Sequence, residues 1–161
     1  MPKTSAPAPM TSARASLIRG ITTVEPRIQS EYLKPGEYVL TLLGCKEGQT
    51  RAPANRPFFV VEAKIVGADP DTLTQGGNKV GHTASWMVML DNDAAMRDVR
   101  GFLDVALTDE ELASLSDETV AECTGPSQLL KGRTLQVAAE NITTKRGTPF
   151  TRVRWFRYEQ A

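Results

Sequence analysis

Thr134-Leu135-Gln136-Val137-Ala138-Ala139-Glu140-Asn141-Ile142, then Thr143-Thr144-Lys145-Arg146-Gly147-Thr148-Pro149, then Phe150-Thr151-Arg152-Val153-Arg154-Trp155-Phe156-Arg157-Tyr158: this closing stretch decides the fold. It reads as two strands joined by a basic turn. Successive side chains of a strand point to opposite faces. One face of the second strand therefore carries Thr151, Val153, Trp155 and Arg157, and the other carries Phe150, Arg152, Arg154, Phe156 and Tyr158. A buried guanidinium needs partners, so the second face is read as surface. Interleaved aromatics and arginines suit stacking on bases and pairing with phosphates. The competing reading is an amphipathic strand with solvated arginines. A one-residue bulge would exchange the two faces.

Working upstream, Asp117–Glu122, Thr108–Glu111 and the stretch after Asp91-Asn92-Asp93 form a helical block. Met96, Val99, Phe102, Leu103 and Leu107 recur at helical spacing, and Thr108 with Glu111 is placed for a capping box. Before the block come three predicted strands, Tyr38–Lys46, Phe58–Gly67 and Lys79–Leu90. Phe59, Val61, Ala63 and Ile65 make one apolar face of the second, leaving Phe58, Glu62 and Lys64 on the other. Polar loops Glu47–Pro57 and Ala68–Asn78 separate these strands. Residues 1–33 read as a flexible arm with Pro2, Pro7 and Pro9, and 34–161 as the folded domain.

The chain has 161 residues, 40% hydrophobic and 24% charged, which suits one soluble domain. No apolar run is long enough to span a bilayer and no signal-peptide segment opens the chain, so a cytoplasmic protein is expected. Cys45 and Cys123 form no metal-ligand pattern and are read as thiols, a disulfide staying open. Net charge is zero, but it is unevenly placed. Residues 1–70 hold nine Lys/Arg against six Asp/Glu, 71–130 three against eleven, and 131–161 seven against two. A fold that joins the two ends would gather a positive surface.

Enzyme chemistry finds no support. Gly76-Gly77 lacks a phosphate-loop context, and the single histidine, His82, excludes most histidine triads and multi-histidine metal sites. Asp91 and Asp93 are read as helix caps. No catalytic residue, metal or cofactor is expected.

Three strands, a helical insertion and two strands form the order of an OB-fold: a mostly β, five-stranded barrel with the helical insertion between strands 3 and 4. In its elements and in short phrases, residues 34–158 resemble bacteriophage-type single-stranded-DNA-binding proteins with an OB-fold. The phrases are Gly36-Glu37-Tyr38, Phe58–Ile65, the helix ending near Phe102-Leu103, Leu130-Lys131-Gly132-Arg133, and Thr144-Lys145-Arg146-Gly147 followed by Arg152-Val153-Arg154. The resemblance implies sequence-independent coating of single-stranded DNA in phage DNA replication or recombination, in the host cytoplasm if the protein is phage-encoded. It implies a groove across strands 2 and 3, bounded by the strand 1–2 and strand 4–5 loops.

Arg51 and Arg56 on the first loop, Lys145 and Arg146 on the second, and Lys64, Arg152 and Arg154 on strands would meet phosphates. Phe58, Trp86, Phe156 and Tyr158 would stack on bases. For Trp86 a place in the core is the competing reading. RNA, a second copy of the chain and replication proteins are further partners the resemblance admits; a membrane is not. The bacterial relatives end in an acidic recruiting tail, whereas this sequence closes Arg157-Tyr158-Glu159-Gln160-Ala161, so tail-mediated recruitment is not expected. A structural or protein-interaction module of a virion or assembly complex is the alternative, suggested by the zero net charge and the long arm. Oligonucleotide titration separates the two.

Overall fold

The computed structural model describes residues 31–158. Its elements are β1 (Glu31–Tyr32), β2 (Gly36–Gln49), β3 (Pro57–Ala68), α1 (Pro70–Thr74), β4 (Thr83–Met89), α2 (Asp93–Ala106), α3 (Asp109–Ala113), α4 (Asp117–Thr124), β5 (Thr134–Thr143) and β6 (Pro149–Arg157). The strands form one sheet in the order β1-β4-β3-β2-β5-β6. β2 is flanked by β3 and β5, so the fourth of the five long strands lies beside the first. That is a Greek-key arrangement.

The sheet is curled into a half-barrel. In a flat sheet β4 and β6 would lie about 19 Å apart, four strand spacings of about 4.8 Å. Yet Trp86 on β4 and Trp155 on β6 meet edge to face with ring centroids 5.3 Å apart. Two irregularities in the β2–β3 register, at Val39/Leu40 and Leu42/Gly44, supply part of the bend. Inside the curl, alternate residues of every long strand form the core: Leu40 and Leu42, Phe59 to Ile65, Ala84, Leu135 to Ala139, and Trp155.

α2 closes the concave side. Asn92 caps it by accepting from the Ala95 N–H at 2.8 Å. Val99, Phe102, Leu103 and Ala106 are buried from it at the spacing of one helical face. Phe102 reaches the tryptophan pair, 4.8 Å from Trp155 and 5.9 Å from Trp86. Met96, expected on that face, is exposed instead, and its neighbour Ala95 is the residue of the first turn that is buried.

Four expectations need correcting. The sheet has six strands rather than five, because Glu31–Tyr32 pairs in parallel with Ala84 and Ser85. Leu33 extends that contact by donating to the Ser85 carbonyl at 3.1 Å and is buried, so the folded part begins upstream of residue 34. The third long strand starts at Thr83: Lys79–His82 is a turn, with His82 donating to the Lys79 carbonyl and Gly81 at φ +90. The loop before it holds a short helix, α1, capped by Asp69. The arm expected over 1–33 lies, up to Ser30, outside the described residues.

Buried polar groups fix the entry into β2. The Asn78 side chain, fully buried, accepts from the Lys34 N–H at 2.8 Å and donates to the Tyr32 carbonyl at 3.1 Å. Its backbone N–H donates to the Tyr38 hydroxyl, which in turn donates to the Lys34 carbonyl. Burial raises the Tyr38 phenol, with the Asn78 hydrogen bond opposing. Gly36, at φ +145, lies against Thr72; a Cβ there would come within 2.2 Å of the Thr72 methyl. Past Leu42, where β5 diverges, the Gln128 amide takes its place: it accepts from the Cys45 N–H at 2.8 Å and donates to the Cys45 carbonyl at 3.0 Å. Cys45 and Cys123 are both buried thiols, and burial pushes Cys45 up to about 12.

Candidate nucleic-acid interface

β6 divides as its alternation requires. Trp155 is 9% exposed and Val153 packs against the core, while Phe150, Arg152, Arg154, Phe156 and Tyr158 are exposed. No bulge interrupts β6: its register with β5 runs unbroken from Leu135–Arg157 to Thr143–Pro149. Across the ladder, the same outer face presents Ile142 opposite Phe150, Glu140 opposite Arg152, Ala138 opposite Arg154 and Gln136 opposite Phe156. Phe150 is 51% and Phe156 47% exposed. Each ring sits beside an aliphatic or amide neighbour and leaves a face to solvent.

The outer side of β3 and β4 is a second part of the surface. Phe58 pairs with Met89, Val60 with Met87 and Lys64 with Thr83. Phe58 is half-buried for a local reason. Its ring lies over Gly48 on β2, where a Cβ would come within 2.9 Å of the ring. Glycine at 48 thus gives the phenylalanine a flat seat on the sheet. Met87 and Met89 face Phe150 and Arg152 across a cleft between β4 and β6, which joins the two parts.

Two loops rim the surface. The β2–β3 loop spans residues 50–56 and is closed by Thr50 donating to the Arg56 carbonyl at 2.9 Å. The β5–β6 turn is closed by Gly147 donating to the Thr144 carbonyl and Thr144 to the Thr148 carbonyl. Lys145 and Arg146 stand exposed on it, as does Arg51 on the first.

The cations differ in what they already touch. Among the described residues Arg51, Lys64, Lys145, Arg146 and Arg154 make no ion pair. Arg152 meets Glu140 only at 3.8 Å, with both side chains about half exposed. Arg56 is engaged: its Nε donates to the Asp91 carboxylate at 3.0 Å and its Nη2 also contacts that oxygen. The Arg56 hydrogen bond holds the Asp91 carboxyl below its ordinary value. Arg157 points away from the outer face of β6, pairing at 2.7 Å with Asp109 at the start of α3.

Of the eleven residues singled out in sequence, ten lie on the outer face or its rim. Trp86 does not. Its ring is partly buried and turns toward Phe102 and Trp155, with an edge on the cleft between β4 and β6, so its contribution is chiefly to packing. Tyr158 is placed as expected, 39% exposed just beyond β6. The eleven leave out Phe150, which the sequence put on this face without a role of its own, and also Met87, Met89 and Lys46. The alternation Thr83 to Met89 did put both methionines on the face opposite Trp86, and the residues of β4 between Trp86 and Met89 are all apolar, so only the pairing with Phe58 distinguishes them. Lys46 sits on the outer side of β2, opposite Val60 and 4.0 Å from Glu62.

Comparison with models of known protein families and with curated proteins returns no match to this chain. Among the described residues there is no group of His, Cys, Asp and Glu able to hold a metal ion, and no helix is long and apolar enough to cross a membrane.

Proposed function

We propose that this chain binds single-stranded DNA without regard to sequence, on the outer face of an OB-type sheet, and acts by coating strands during DNA replication or recombination. The observation that carries the reading is the exposed side of β6, where Phe150, Arg152, Arg154 and Phe156 stand side by side while Trp155 and Val153 hold the strand to the core. The Greek-key order of the long strands, with a helical block between β4 and β5, supports the OB-type assignment. Two cationic loops at the ends of β2–β3 and β5–β6 support it further.

The physics is non-catalytic. Arginine and lysine neutralise phosphates and release counterions, so log K falls with log salt by about 0.7 per phosphate contact on a single strand. Phe150, Phe156 and Phe58 stack on bases of any identity, each worth about 1–3 kcal/mol. Zero net charge is no obstacle, since nine of the nineteen acidic residues lie on α2 to α4, where Arg157 and Arg133 partly neutralise them.

Titrating labelled oligo-dT in filter retention, at low and at high salt, tests the proposal. Micromolar or tighter binding that weakens steeply with salt is the expected result. Absence of binding at low salt overturns it, and retention of an acidic protein partner instead would favour the interaction-module reading.

A further inference from the structure

The outer face of β6 carries its rings and cations in one line. Phe150, Arg152, Arg154 and Phe156 follow one another at every second residue, all exposed. At about 3.4 Å per residue, the line from Phe150 to Phe156 is about 20 Å long. Its Phe150 end leads to the β5–β6 turn with Lys145 and Arg146.

The rows that leave this line across the sheet have the opposite character. Beside Arg152 stands Glu140 on β5. Beside Arg154 the row passes Ala138 and reaches Glu37 on β2, whose carbonyl accepts from the Asp69 N–H. Glu37, Asp69 and Glu140 are all exposed. Among the described residues Glu37 and Asp69 make no ion pair. Beside Phe156 the row runs through Gln136, Val39 and Gly67, with no cation and no ring. The next row, Thr134, Thr41 and Lys64, meets its first cation only on β3.

We propose that a bound single strand runs lengthwise along β6, confined on the β5 side by the carboxylates of Glu140 and Glu37, instead of crossing the strands of the sheet. This rests on the single-strand reading and adds to it a route, a length and two residues that set the route. Phosphates are attracted to Arg152 and Arg154 and repelled by the carboxylates beside them. β2 lies about 10 Å from β6, two strand spacings of about 4.8 Å. That is about one Debye length at 0.1 M salt, so Glu37 still acts on a backbone that strays toward β5. A stacked strand rises about 3.4 Å per nucleotide, which gives the line about six nucleotides. One OB fold occupies about 4–16. A longer strand leaves past Phe150 toward Met89 and Phe58, which pair with each other across the cleft from it. The groove implied by the sequence resemblance crosses the second and third long strands; this route lies on the fifth.

Paramagnetic relaxation on the full chain tests the route, using oligo-dT six nucleotides long with a nitroxide at one end or at the other. With either label, the strongest broadening should fall at an end of β6, at Phe156–Arg157 or at Pro149–Phe150. It should exceed the broadening at Lys64 and Thr83 at least threefold. Strongest broadening at Lys64 or Thr83 places the strand across the sheet and overturns the proposal. Glu37→Lys with Glu140→Lys makes the transverse rows cationic, and broadening at Lys64 relative to Phe150 should then rise at least twofold. An unchanged ratio overturns the confining role of the two carboxylates. Unshifted amide resonances at Leu40 and Val61 show that this variant keeps its fold. A chain that fails to bind oligo-dT at low salt overturns the single-strand reading and this proposal with it, an outcome distinct from binding along another path.

Discussion

Arg133 grips Glu111 with both guanidinium nitrogens, at 2.6 and 2.9 Å, and so ties the start of β5 to α3. The same Arg133 also donates to the Ala106 carbonyl at the end of α2, and Glu111 accepts from the Thr108 N–H. One ion pair thus holds the end of α2 and the start of α3 against the sheet at β5. Both side chains are about three-quarters covered.

This contact sets an acid limit on stability. The Arg133 hydrogen bonds, opposed by burial, pull the Glu111 carboxyl down to about 2. Unfolded, a glutamate titrates near 4.3. The folded value is the lower one, so the stabilisation is fully present above about pH 4.3 and is lost as pH falls toward about 2. At pH 7, Glu111→Gln should lower stability by about 1–2 kcal/mol, discounted for its partly wet edge. Urea midpoints of the two proteins should converge between pH 4 and pH 2; a constant offset would contradict the assignment.

Replacing Arg152 and Arg154 with alanine should weaken oligo-dT binding and reduce the salt slope by about 1.4, two phosphates' worth. Arg157→Ala, on the same strand but paired with Asp109, should leave affinity unchanged. Filter retention at several salt concentrations measures all three proteins. Equal losses in the two variants would mean that the outer face of β6 is not the contact surface.

The aromatics of β6 should separate binding from folding. Phe156→Ala and Phe150→Ala should each reduce affinity by about 1–3 kcal/mol with little change in thermal midpoint. Trp155→Ala, one residue away and facing the core, should instead cost about 3–5 kcal/mol of stability. Calorimetry alongside binding distinguishes the two patterns.

Asp91 restrains a cation at the rim of the surface. Asp91→Ala should release Arg56, tighten single-strand binding and steepen the salt slope by about 0.7. Arg56→Ala alone should change affinity little, because its charge is already met. Comparing the two salt slopes checks this.

Asn78→Ala should unfasten the entry into β2. It leaves the Lys34 N–H and the Tyr32 carbonyl without partners in a buried site, which costs about 1–3 kcal/mol. Denaturant unfolding measures the loss.

Much of this layout was legible in the sequence. Alternation placed Phe59 to Ile65 inward and Trp155 inward, and the Thr108–Glu111 spacing gave a capping box that forms as expected. Periodicity located α2 and all five long strands to within a few residues. What escaped has physical causes. β1 is two residues held by pairing with β4, and nothing local in Glu31-Tyr32 announces a partner fifty residues away. The Lys79–His82 stretch keeps the alternation of the strand it precedes, and only Gly81 at positive φ breaks it into a turn. The pairing of Arg56 was not legible because its partner, Asp91, lies on a different element. Trp86 was ambiguous because aromatic side chains serve cores and stacking surfaces alike. Only its contact with Trp155 distinguishes the two.

Both tryptophans of the chain belong to one edge-to-face pair that bridges β4 and β6, and neither stands on the outer face. Intrinsic indole emission is therefore a gauge of how tightly the sheet is curled, with Phe102 as the ring against which it is set. It will register any parting of β4 from β6. The rings assigned to base stacking are phenylalanine and tyrosine, and of the two indoles only Trp86 has an edge on the cleft beside them. In this protein, the optical signal of the tryptophans belongs to the architecture rather than to its ligand.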